Sequence, residues 1–273
     1  MSADWTLGAA LLALLLWVLA AVLAPLMGLT PDQVDLSRIL AAPGEYAPLG
    51  NDDLGRPVLD RLLAGARTSL IVGVGVVAVS ASLGTLVGAL AGYAGGWLDA
   101  VVMRLVDLLL AFPGILLAIA LAGVMGPGID NVILALVVVG WVGYARLARA
   151  QVLSLAERDH VTAARALGSR GWTILRRHLI PLALAPLLVE ATFGVSGAVM
   201  AEAGLSFLGL GVQPPAASWG NMVRDGVGYL LVAPHLVLAP GVAILLVVLS
   251  VNLLGDALRD RLDVRLRARV PRG

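Results

Sequence analysis

Six stretches of this chain run almost without polar positions: Leu7 to Met27, Thr68 to Tyr93, Val101 to Met125, Asn131 to Val152, Leu182 to Gly204 and Leu236 to Leu254. A helix rises about 1.5 Å per residue, so ~20 apolar residues cross ~30 Å of hydrocarbon. The pattern therefore predicts six transmembrane helices. The first is read as a retained span, because it lacks the basic flank of a signal peptide and its apolar run is too long for one. Between the spans the pattern turns amphipathic. Val161, Ala164 and Leu167 recur at helical spacing, Gly168 breaks the run, and Trp172, Leu175 and Leu179 open a second segment. Pro181 suits the first turn of the next span, where its missing N–H costs nothing. Before the second span, Leu59, Leu62, Leu63 and Ala66 mark an amphipathic helix, Val58 to Leu70, behind the turn-forming Asn51 to Gly55. It is expected to lie on the membrane surface.

Composition removes several functions. The chain is 59% hydrophobic and 14% charged, far from the roughly half-apolar, quarter-charged balance of a soluble domain. It has no cysteine, which excludes disulfides, zinc–thiolate sites and cysteine nucleophiles. All nineteen basic residues are arginine, so there is neither a Gly-Lys-Ser/Thr phosphate loop nor a Schiff-base lysine. Nucleotide hydrolysis through a P-loop of its own is excluded.

Charge then orients the spans. Placing both ends in the cytoplasm puts fourteen arginines inside and five outside, the asymmetry expected of cytoplasmic loops. Ser154 to Pro181 becomes the longest cytoplasmic loop, two short helices hinged at Gly168. Three roles compete for it: a basic anchor on anionic lipid, at about 1 kcal/mol per arginine; a docking helix whose face Ala163, Ala164 and Ala166 keep shallow; and catalysis. The last is poor, since His160 and His178 have no acid–base constellation around them.

Other positions carry their own expectations. Gly84, Gly88 and Gly92 form a small-residue ladder suited to close helix packing. Arg104 and Asp107 are spaced for an ion pair on one helix face. Glu190 lies about 13 Å into the fifth span if that helix starts at Pro181. A central charge costs at least ~2.5 kcal/mol, so it faces either the substrate path or a structural partner. The outer loop, Gly204 to Pro234, combines Gly209, Gly211, Pro214 and Pro215 with a Trp219 expected at the interface. His235 alone makes no metal site.

Ala163, Ala164 and Gly168 at this spacing, followed by Pro181, resemble the Glu-Ala-Ala loop of permease subunits in ABC importers. GNDDLGRPVLDRLLAGARTSL (Gly50 to Leu70), GYAGGWLDAVVMRLVDLLLAFPG (Gly92 to Gly114), AEAGLSFLGLGVQPPAASWGNM (Ala201 to Met222) and NLLGDALRDRLD (Asn252 to Asp263) look like the second permease of dipeptide, oligopeptide and nickel importers. The likeness runs from about residue 48 to 265, and LSFLGLGVQPP is its most specific part.

The resemblance implies an all-α membrane protein with six transmembrane helices, a type I ABC importer transmembrane domain with both termini cytoplasmic, in the bacterial inner membrane. It implies a first helix and outer segment over residues 1–66, a permease core over 67–258 with its coupling loop at 154–181, and a basic tail over 259–273. Partners would be a second homologous permease, two cytoplasmic ABC ATPases and an extracytoplasmic solute-binding protein. ATP and Mg would be bound by the ATPases, with no cofactor in this chain and no nucleic acid. Thr162, Ala163, Ala164, Gly168 and Pro181 would couple the ATPase to the membrane helices. Glu202, in the AEAGLSFLGLG segment, would act at an outer gate or brace that loop. The chain departs from the motif at Thr162, where glutamate is expected, and at His178 and Ile180. A threonine cannot make a carboxylate–arginine contact, which leaves shape to carry the coupling. The implied cargo is a peptide, with nickel or another small solute as the alternative. Two further classes fit parts of the pattern, a proton-coupled carrier using Glu190 and an assembly subunit with no substrate path.

Overall fold

The computed structural model describes residues 2–262. Ten helices carry nearly all of the order, and an isolated bridge between Asn51 and Pro57 is the β pairing among the described residues. They are α1 (Ser2–Leu23), α2 (Val58–Ala94), α3 (Gly96–Leu110), α4 (Gly114–Met125), α5 (Ile129–Ala156), α6 (Asp159–Ala166), α7 (Gly171–Ile174), α8 (Ile180–Phe207), α9 (Trp219–Val227) and α10 (His235–Leu262). Five continuous helical stretches are long and apolar enough to cross a membrane, and α3 with α4 form a bent pair that makes a sixth. The part of the expected basic tail beyond residue 262 lies outside the described residues.

The core is the pairing of α2 with α5. A Cβ on Gly84 would run into the Trp141 carbonyl, and one on Gly88 into the Ala145 backbone; at Gly92 it would meet the Arg149 carbonyl at 3.1 Å. Successive ladder positions thus meet positions four apart on α5, so the two helices run parallel with their backbones in contact. Lipid offers no hydrophobic force to join helices, and small residues that admit close van der Waals packing take that role. The glycine ladder packs as the sequence predicts.

α8 runs against this pair and α10 runs against α8, the latter joined by Ser196 Oγ donating to Asn252 Oδ1 at 2.9 Å. α1 packs on α2 and α10, with Trp17 Nε1 donating to the Ala66 carbonyl at 3.2 Å. These directions bring the starts of α1 and α6 and the end of α10 to one end of the bundle. The segment before α2 sits at the other.

Several expectations change. The apolar run Val101 to Met125 is two helices bent by 87° at Ala111–Pro113. Proline lacks an N–H and disfavours helical geometry in the residue before it, here Phe112, and α3 ends at Leu110, just short of that residue. The segment Val58 to Leu70 does not lie on a surface. It is the first third of the 37-residue α2, roughly 55 Å long, with Val58, Arg61 and Ala66 buried. Pro181 stands in the first turn of α8, as expected, but no gap sets that helix apart from the one before it. A π turn, Leu175–Leu179, links α7 to α8 in one 37-residue helical stretch; such a turn absorbs the clash a proline ring makes with the preceding turn. The divisions expected after residues 66 and 258 both fall inside helices, α2 and α10.

Candidate functional site

Three places gather the residues singled out by sequence. The first is the α6–α7 hairpin. Gly168 adopts φ +79°, a left-handed conformation that suits glycine at the end of a helix, and it turns the chain between the two helices. The hairpin is seated on the end of α2, where Arg165 stands over the Tyr93 ring at 5.9 Å and Gly171 lies against the same ring. Val161 and Ala164 are buried in the core, as are Ile174, Leu175 and Leu179. Thr162, Ala163 and Ala166 face outward, and Leu167 is 87% exposed.

This corrects two readings. Leu167 does not share the inward face of Val161 and Ala164, because the helix ends at Ala166 and the turn swings it out. Ala164 does not belong to the exposed face, which consists of Thr162, Ala163, Ala166 and Leu167. The Thr162 hydroxyl caps back onto the Arg158 carbonyl at 3.4 Å. His160 and His178, far apart in sequence, face each other with ring centroids 6.3 Å apart. No sequence signal indicated that pair.

Arg104 and Asp107 make no ion pair with each other. Arg149 of α5 instead grips Asp99 of α3 with two hydrogen bonds of 2.5 and 2.6 Å, a fork-on-carboxylate geometry that fixes α3 across the helix ends. The partner across space displaced the partner along the helix.

The second place is a cavity of about 280 Å³ between α2, α4, α5 and α8. Val76, Val77, Leu136 and Val139 supply apolar wall, and Glu190, Tyr144 and Ser80 supply its polar groups. Glu190 is exposed to this space and has no hydrogen bond or ion pair among the described residues. The Tyr144 hydroxyl lies directly against Gly194, one helical turn beyond Glu190, and a side chain there would displace it. Tyr144 and Ser80 are both buried, and neither hydroxyl has a partner among the described residues.

The third place is the opposite end of the bundle. Glu202 is completely buried. Its Oε1 accepts from Ser206 Oγ at 2.7 Å, and that oxygen in turn accepts from the Val212 N–H at 3.3 Å. Glu202 thus sits within the wall that holds the glycine-rich loop. Trp219 is buried too, not interfacial: its ring presses on Gly65 and its Nε1 donates to the Leu62 carbonyl at 2.9 Å. Ser218 and Asn221 cap α9 reciprocally. Beside them Asp52 accepts from the Arg56 and Leu54 amides and pairs with Arg56 at 2.7 Å and Arg61 at 3.4 Å. Burial, then the Asp52 charge, push the Asp53 carboxyl above its ordinary range. This buried knot was visible in the sequence only as a turn.

Residues 84–268 match the family described as binding-protein-dependent transport system inner membrane component. The chain belongs to this family. The permease is 42% identical over 234 residues to the glutathione transport system permease protein GsiD of Pectobacterium atrosepticum, covering 86% of this chain and 78% of that one. It is 40% identical over 253 residues to the dipeptide transport system permease protein DppC of Alkalihalophilus pseudofirmus, covering 92% and 83%. With the di/tripeptide transport system permease protein DppC of Pseudomonas aeruginosa the identity is 44% over 219 residues, covering 80% and 72%. The permease is thus a multi-pass inner membrane component of a transport system, and its apolar helices are the membrane-spanning part.

Proposed function

We propose that this permease forms half of the translocation pathway of an ATP-driven importer of short peptides. The relatives named for glutathione, dipeptides and di/tripeptides favour that cargo over nickel. The partner ATPases bind ATP and Mg, a homologous permease completes the pathway, and a solute-binding protein delivers cargo at the end carrying Glu202 and the Asp52 knot. Both termini and the α6–α7 hairpin face the cytoplasm, in line with the arginine distribution.

The observation that carries the coupling role is the exposed apolar tip of α6. Leu167, Ala163 and Ala166 stand free on a hairpin whose inner face is packed on α2 and α5. A rigid seat with a shallow outer face can transmit a push from a docked partner into the helices behind it. Coupling then works by shape, with Thr162 supplying no carboxylate. ATP binding draws the two hairpins of the permease pair together and turns the pathway outward; hydrolysis resets it.

Co-purification tests the reading. An ATPase should accompany the wild-type permease and be lost with Ala163→Trp, and peptide uptake should fall with it. Peptide uptake proceeding with the ATPase absent from every preparation would overturn the proposal.

A further inference from the structure

The cavity between α2, α4, α5 and α8 is chemically lopsided. Its wall is aliphatic, yet one carboxylate opens onto it and two hydroxyl-bearing side chains line it with their oxygens buried at the wall, and none of the three has a hydrogen-bond or ion-pair partner among the described residues. Glu190 lies about 15 Å along α8 from Ile180, within the membrane-spanning segment, where an uncompensated charge is expensive and is usually kept for a ligand or pathway. Buried hydroxyls are normally hydrogen-bonded. Tyr144 is held against Gly194 and Ser80 against Gly140, where a Cβ would come within 2.7 Å of the Ser80 oxygen. Two glycines thus keep the space that lets both hydroxyls border the cavity.

We infer that Glu190, Tyr144 and Ser80 form a transit site for the α-ammonium group of a peptide, reading its free amino end inside the membrane. This rests on the peptide reading above and adds the recognised group and the residues that recognise it. An ammonium has three donors and no acceptor, which suits one carboxylate and two hydroxyl oxygens. The charge-assisted contact to Glu190 is the strongest of the set. The aliphatic wall receives the first side chain without selecting its shape. A volume of about 280 Å³ falls just below the usual range of ligand pockets, so the site holds one end of a peptide and not the whole. A bare metal ion is a worse fit. Glu190 offers one carboxylate, and no group of three or more His, Cys, Asp or Glu is placed to hold a metal among the described residues.

The test uses the whole importer in proteoliposomes, with its binding protein and radiolabelled alanyl-alanine. Glu190→Gln should raise the ATP hydrolysed per peptide imported about tenfold, Glu190→Asp should restore the ratio to within about threefold, and Tyr144→Phe should give an intermediate value. An unchanged ratio in Glu190→Gln overturns the transit site while wild-type peptide import leaves the importer reading standing. Absence of peptide import by the wild type overturns the importer reading itself. A carbodiimide applied to the wild-type complex gives an answer that needs no variant to fold. It should join the dipeptide amine to Glu190 as an amide, seen by mass spectrometry, and labelled peptide found only at other carboxylates overturns the site.

Discussion

At the scale of single residues the chain is governed by who stands across from whom. Gly88 shows the case in which sequence was sufficient: a small-residue ladder has one efficient use in lipid, and a Cβ there collides with the backbone of Ala145. Gly88→Ala should destabilise the permease by about 1–3 kcal/mol, while Gly75→Ala, with nothing within 4 Å, should leave thermal unfolding in detergent unchanged. Arg149 shows the opposite case. Spacing suggested Arg104 with Asp107, but the fork of Arg149 on Asp99 comes from helices joined fifty residues apart. A double-mutant cycle on Asp99 and Arg149 should return a coupling of about 1 kcal/mol, and one on Arg104 and Asp107 near zero. Glu202 was legible as a boundary residue and illegible as a brace. Glu202→Ala strands the Ser206 hydroxyl and should cost about 1–3 kcal/mol, with faster proteolysis of the loop at residues 208–217. Glu202→Gln, which keeps an acceptor, should be milder.

At the scale of elements, hydrophobic pattern located the helices but not their joints. The α3–α4 bend follows from Pro113, a residue that local reading carried inside an apolar run because composition outweighed it. The continuity of α2 through residues 58–94 was hidden by the opposite bias, since its polar first turns look like a surface helix until Arg61 is seen buried beside Asp52. The hairpin was readable from Gly168 and its flanking periodicity. Which of its alanines faces the partner was not, because an eight-residue helix has no lipid face to fix its rotation. The two alanines therefore separate by experiment. Ala164→Trp should reduce the amount of folded permease recovered, whereas Ala163→Trp should fold and lose the ATPase.

At the scale of the whole molecule the helix directions bring the start of α1 and the end of α10 to the same end of the bundle as α6. The absence of cysteine from the chain makes their sidedness simple to measure. Gln33→Cys should react with a membrane-impermeant maleimide in intact cells, and Thr162→Cys only after permeabilisation. The reverse pattern would invert the assignment of the hairpin to the cytoplasm. The same arrangement explains where the transit cavity opens. It opens where α8, crossing the parallel α2–α5 pair, carries Gly194 past Tyr144 and so leaves room for Glu190 to stand unpaired.

Sequence alone determined the helical class, the number of apolar stretches, the glycine ladder and the family motifs. Entry into lipid is a sum over neighbouring residues, and a backbone in hydrocarbon must satisfy its own hydrogen bonds as helix. Only the tertiary structure decided that Trp219 is buried, that Ala164 points inward, that Arg149 chooses Asp99, and that Glu190, Tyr144 and Ser80 share one cavity. Those outcomes depend on the rotation and register of helices distant in the chain. Both are set by van der Waals packing between helices, a term that no local pattern contains.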